Sequence, residues 1–177
     1  PAGSLVFTAL QGGSNPASQR EVMNVSGSCN WPMSWQVSAP ASAPWLGISQ
    51  PSGAPSLNKQ SIISIISPNI SGLAPGQYKT QVSISVLDAS NTPAAGSPQT
   101  FTVTLNVQQP CTLHVTPTNL TFSSSIAHPA TAQTLQLSEI GACNASVNWQ
   151  AQSTATWLTV TNSGTDTGNG SSITVSI

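Results

Sequence analysis

Charge is almost missing from this chain. Its 177 residues hold three Lys/Arg and four Asp/Glu, for a net charge of −1. With no basic field, nucleic acid and anionic membrane surfaces are excluded as electrostatic partners. No apolar run approaches the roughly 20 residues that span a bilayer, so this segment does not insert into a membrane as a helix. No leader segment is present, and a chain opening on Pro1 reads as a mature or excised piece.

The scarcity of reactive groups limits the chemistry further. The four carboxylates, Glu21, Asp88, Glu139 and Asp166, sit in no shared motif and are not repeated with one another. They read as solvated surface residues, where a glycosidase needs two facing carboxylates. His114 and His128 belong to no nucleophile motif, and no close Cys/His spacing suggests a metal site. Nucleophile elbow, phosphate loop and dinucleotide fingerprint are all missing. The expectation is a protein that is not an enzyme and uses no cofactor or metal.

What the chain does have is one sentence written twice. Gln19, Cys29 and Trp35 recur as Gln133, Cys143 and Trp149, each displaced by 114 positions. Leu5 and Phe7 recur as Leu120 and Phe122 at 115, and Trp45-Leu46 as Trp157-Leu158 at 112. So small a drift over so long a period means loop insertions between duplicated modules, each with its own core.

Within a copy the signals are those of strands. Apolar residues alternate at Trp35 and Val37, at Val82, Ile84 and Val86, and at Phe101, Val103, Leu105 and Val107. Ile62, Ile63, Ile65 and Ile66 are denser, as in a strand covered on both faces. Gly/Pro-rich punctuation separates the runs, and no stretch has helical periodicity with caps. About seven short strands per roughly hundred residues is the pattern of an immunoglobulin-like sandwich.

The fold class expected is therefore all-β, two tandem immunoglobulin-like β-sandwiches. Module one covers 1–107, a linker made extended by Pro110 covers 108–110, and module two covers 111–177. Residues 171–177 align with the Ile62–Ile66 strand, after which module one continues with two more strands and module two does not. Module two thus reads as lacking its last two strands. Either the natural chain continues, or another chain supplies strands to the open edge.

Three cysteines occur: Cys29, Cys111 and Cys143. The repeat places the counterpart of Cys111 upstream of Pro1, which suggests one disulfide per module. Cys111 is expected to bond Cys143, with Cys29 left unpaired; three reduced buried cysteines are the alternative. Trp35, Trp149, Trp45 and Trp157 are assigned to the cores because they repeat. Trp31, whose counterpart is Ala145, is the odd ring, and with Asn30 and Gln36 it forms the candidate glycan-stacking contact. Tyr78 resembles a tyrosine corner. Asn-x-Ser/Thr sequons occur at Asn24, Asn69, Asn119, Asn144 and Asn169, and matter only in a eukaryotic source.

Several of these residues together resemble the BACON family of bacterial immunoglobulin-like modules. They are Leu5, Phe7, Gly12-Gly13, Gln19, Trp35, Trp45-Leu46, Pro51, Gly53, Gly76, Tyr78 and Pro98-Gln99, with Leu120, Phe122, Gln133, Trp149, Trp157-Leu158 and Gly164 in the second copy. The resemblance implies tandem β-sandwiches in secreted or surface proteins, as spacers or in contact with carbohydrate. It implies a non-catalytic extracellular scaffold string from a bacterial source. Two rivals stand beside it: a dedicated carbohydrate-binding module, and a self-assembling subunit whose partners are neighbouring copies exchanging strands.

Overall fold

A computed structural model describes residues 3–25, 31–54, 61–143 and 146–177, with the side chains of 61–63 left out. No helix occurs among the described residues. The chain divides into two compact units, 1–108 and 109–177.

The described residues of module one form eight strands: β1 (Ser4–Leu10), β2 (Gln19–Asn24), β3 (Ser34–Ser38), β4 (Leu46–Ser49), β5 (Ser52–Gly53), β6 (Ser61–Pro68), β7 (Gly76–Leu87) and β8 (Gln99–Gln108). A five-stranded sheet in the order β1-β8-β7-β3-β5 accompanies a three-stranded sheet in the order β2-β6-β4. Period-two alternation decides the core. Val82, Ile84 and Val86 of β7 and Phe101, Val103, Leu105 and Val107 of β8 are all buried. Phe7, Val37, Trp45, Leu46 and Ile66 join them from both sheets, so the core is the layer between. In the isoleucine-rich strand β6, Ser64 and Ile66 are buried and Ile65 is half-buried. Tyr78 donates its hydroxyl to the Ala74 carbonyl at 2.9 Å, forming the expected corner.

Module two has β9 (Thr112–Thr116), β10 (Gln133–Ile140), β11 (Val147–Gln150), β12 (Thr159–Val160), β13 (Ser163–Asp166) and β14 (Ser171–Ser176). Its sheets run β12-β14-β10-β9 and β11-β13. The pairings repeat those of module one: β10 with β14 as β2 with β6, β11 with β13 as β3 with β5, and β12 with β14 as β4 with β6. Among the described residues of module two, no strand stands in the places of β7 and β8. Its buried cluster is Leu137, Trp149, Ile173 and Val175.

Three expectations are corrected. Trp157 is not a core residue: it is 65 % exposed, against 7 % for its counterpart Trp45. Trp45 packs against the Tyr78 ring, centroids 6.2 Å apart, and Tyr78 lies on β7, which has no counterpart among the described residues of module two. The Leu120–Phe122 segment is not a strand. In module one the equivalent β1 pairs only with β8, in parallel. Without that neighbour no ladder forms, although Leu120 and Phe122 still pack on the small core. Asp166 is not a solvated surface residue: it is 1 % exposed, and its Oδ1 accepts the backbone N–H groups of Gly168 and Gly170. An aspartate two and four residues ahead of the groups it caps closes the β13–β14 turn from inside.

Candidate functional site

Trp31 lies in the turn before β3 and precedes Pro32 across a cis peptide bond. It is half-buried and packs against a small cluster containing Met33 and Val86. That packing fixes the ring and leaves part of it in solvent. Gln36, on β3, is exposed, and its backbone carbonyl accepts a bond from Ser85. Asn30 and Cys29 lie outside the described residues, as does Ala145. So the structure places Trp31 and Gln36 on neighbouring turn and strand positions, and the full Trp31–Asn30–Gln36 trio is not brought together on the described residues.

The repeated tryptophans have a different job from sugar stacking. Trp35 pairs across the ladder with Gly53, and Trp149 with Gly164. A Cβ on Gly53 would lie 2.7 Å from the Trp35 ring, and one on Gly164 would lie 2.4 Å from the Trp149 ring. Each indole therefore lies over the backbone of a facing glycine, which no larger residue permits. The repeated glutamines are also spent internally. Gln19 donates its side-chain amide to the Val6 carbonyl at 2.8 Å, and Gln133 does the same to the Thr121 carbonyl at 2.6 Å. These bonds tether the first segment of each module whether or not it is a strand.

A groove of about 560 Å³ follows the β11–β13 ribbon, lined by Asn148, Trp149, Gln150, Ser163, Gly164 and Thr165. Thr165 donates to the Asn148 amide oxygen at 2.8 Å, and the buried Trp149 indole N–H has no hydrogen-bond partner. Amides and hydroxyls are groups that recognise sugar hydroxyls. This polar lining was missed in the sequence because Trp149 drew attention as a core residue. The signal was the alternation of Asn148 and Gln150 about it.

The cysteines come together as expected: Cys111 and Cys143 form a disulfide, with Cα atoms 4.6 Å apart. Gly141 makes the approach possible. Its φ is +100°, and a Cβ there would fall 2.2 Å from the Pro110 carbonyl oxygen. Ala142 N–H bonds the Gln109 carbonyl at 2.8 Å, locking residues 109–110 against 141–142. Glu139, one register step from this loop on β10, brings a carboxylate oxygen within 4.8 Å of both sulfurs. Its Oε1 is buried and unpartnered. Sequence reading placed Glu139 on the surface. Its clue was its position on the same strand face as the buried Leu137.

Comparison with known proteins bears on both modules. A family model described as the viral BACON domain matches residues 4–97 and 112–177, the two segments to which the resemblance pointed. No curated protein matches the chain. Among solved structures, the chain is similar to a protein of unknown function from Porphyromonas gingivalis W83, at 10 % identity and a TM-score of 0.46. That alignment covers 97 % of this chain and 78 % of the other.

Proposed function

The chain belongs to the viral BACON domain family, and on this premise we propose that it is a non-catalytic string of β-sandwich modules, a spacer or scaffold on an extracellular surface of a cell or particle. At the family level such modules are carbohydrate-associated or spacer domains. The observation that carries the spacer reading is the fate of the repeated residues. Trp35 and Trp149 lie over their own glycines, and Gln19 and Gln133 bond their own backbones. What the repeat preserves is a self-contained bead, not a shared ligand-facing surface. The uncharged Ser/Thr/Asn/Gln surface and the Cys111–Cys143 disulfide favour an oxidising exterior. Glycan contact through the exposed part of Trp31 is a secondary property in this reading.

A glycan array of the full chain and its Trp31→Ala variant tests it. The spacer reading expects weak binding or none, with any signal falling in the variant. Strong, selective binding lost in Trp31→Ala would replace it with a dedicated carbohydrate-binding module. Strong binding that survives in Trp31→Ala but falls in Asn148→Ala would move the sugar site to the β11–β13 groove.

A second reading, a subunit completed by strands from neighbouring copies, is favoured by one observation. The exposed Trp157 stands where module one has a ring covered by β7. Concentration-dependent sedimentation of the full chain tests it. Association weakened by Trp157→Ala supports it, and a monomer at every concentration removes it.

A further inference from the structure

We propose that Asn169–Gly170, in the turn between β13 and β14, is a self-modification site gated by Asp166. It takes water as its co-reactant and converts the asparagine to aspartate and isoaspartate. Three observations carry this. Asn169–Gly170 is the sole Asn-Gly pair in the sequence, and both residues are exposed. A glycine after asparagine leaves the backbone nitrogen open to the side-chain amide, because no Cβ shields it. The fold also demands that glycine. Gly170 has a φ of +80°, and a Cβ there would lie 3.1 Å from the Leu137 carbonyl oxygen. Third, the nitrogen that must react is one that Asp166 holds. Asp166 Oδ1 accepts the Gly170 N–H at 3.0 Å, along with the Gly168 N–H at 2.9 Å.

The step is an internal acyl transfer and needs no oxidant or reductant. The Gly170 nitrogen gives its proton to solvent base and attacks Cγ of Asn169. A C–N bond forms, and the bond from Cγ to the side-chain nitrogen breaks. That nitrogen leaves as ammonia, taking a proton from water. The product is a cyclic imide. Water then opens either of its carbonyls and restores one amide and one carboxylate. One opening gives aspartate at position 169. The other gives isoaspartate, whose backbone runs through the former side chain.

The Asp166 bond is the gate. Attack requires the Gly170 nitrogen to lose its proton, and a hydrogen bond to the protonated form opposes that loss. Asp166 is buried, so its charge acts on the nitrogen with little screening from water. Reaction therefore follows opening of the turn, and exposed turns sit at the low-stability end of a fold. The consequence falls on module two, because module one has no Asn-Gly pair. Each conversion adds a negative charge to a chain whose net charge is −1. Isoaspartate also lengthens the backbone between Asp166 and the Gly170 N–H it caps, which loosens the entry to β14.

The test ages the full chain at neutral pH. Position 169 is read by peptide mapping and by enzymatic methylation of isoaspartate. Wild type should accumulate both products there ahead of every other asparagine. Unfolding the chain in urea should speed conversion at least about tenfold, a factor equal to about 1.4 kcal/mol of turn opening. Asp166→Asn keeps an acceptor oxygen and removes the charge, and should speed conversion in a chain still folded by circular dichroism. If that variant unfolds, hydrogen exchange of the Gly170 amide in wild type decides. Urea below the unfolding transition should then raise exchange and conversion by the same factor. No conversion in the folded chain, or equal rates in folded and unfolded chains, overturns the proposal. So does an unchanged rate in folded Asp166→Asn, or conversion that does not follow Gly170 exchange.

Discussion

Trp45 and Trp157 sit in the same turn of two copies of one module. In each, the N–H of the following leucine bonds the carbonyl of an alanine three residues back, Leu46 to Ala43 at 3.1 Å and Leu158 to Ala155 at 3.2 Å. The local structure is the same, yet one ring is 7 % exposed and the other 65 %. The difference is made elsewhere in the chain. In module one, six of the thirteen residues of the main core cluster lie on β7 and β8, and Tyr78 of β7 meets the Trp45 ring. Module two has four buried cluster residues and no such strands among its described residues. A tryptophan in a sandwich is thus made a core residue by the strand that covers it and not by its own turn.

The largest expected effect tests that statement directly. Trp45→Ala should destabilise module one by about 3–5 kcal/mol, the usual loss for a large buried aromatic. Trp157→Ala should shift module two by no more than about 0.5 kcal/mol, as surface substitutions do. Calorimetry of the full chain, following the two transitions separately, reads both. Equal losses would break the comparison and mean that something covers Trp157 in solution.

A second test is a place where the modules should agree. Gly53→Ala and Gly164→Ala each drive a methyl into an indole, at 2.7 and 2.4 Å from the nearest ring atom. Overpacking of this kind costs about 1–3 kcal/mol. Denaturant midpoints should fall in both modules by comparable amounts, because β3–β5 and β11–β13 are the same ribbon. A loss in one module alone would mean that the duplicated Trp-over-Gly contact is not the shared frame of the fold.

What could be read from sequence follows the same division between local and distant causes. Alternation placed Val82 to Val86 and Phe101 to Val107 correctly because a strand's face is set by its own period. The Cys111–Cys143 bond followed from laying one copy over the other, as did the corner at Tyr78 from its own loop. Leu120–Phe122 failed as a strand because the ladder partner of its counterpart β1 is β8, at the far end of module one, where Leu5 pairs with Val103, and no counterpart of β8 occurs among the described residues of module two. Asp166 and Glu139 failed because a carboxylate's burial depends on which loop closes over it. At the candidate sites, Trp31 was legible as an unrepeated ring. The polar lining of the β11–β13 groove was hidden behind its tryptophan.

The smallest expected effect turns on another pair of counterparts. Glu21 of β2 stands where the repeat puts Leu135 of β10, two residues after Gln19 and Gln133 respectively. Leu135 packs on the core of module two. Glu21 is half-buried in the same kind of position, and burial raises its carboxyl above the ordinary value of 4.5. A raised value in the folded state means that folding binds the proton more tightly than unfolding does. The stabilisation is therefore fully present below the unfolded value and is lost as pH rises through the folded one. At neutral pH the ionised carboxylate works against module one. Its melting temperature should rise as pH falls from 7 towards 4.5, by less than either preceding effect. Glu21→Gln should flatten that rise, and Glu21→Leu should both flatten it and stabilise module one at pH 7, because it restores the residue type its twin already uses. A pH profile unchanged in both variants would show that Glu21 reaches water in the folded module, and that β2 and β10 differ in more than the residue at this position.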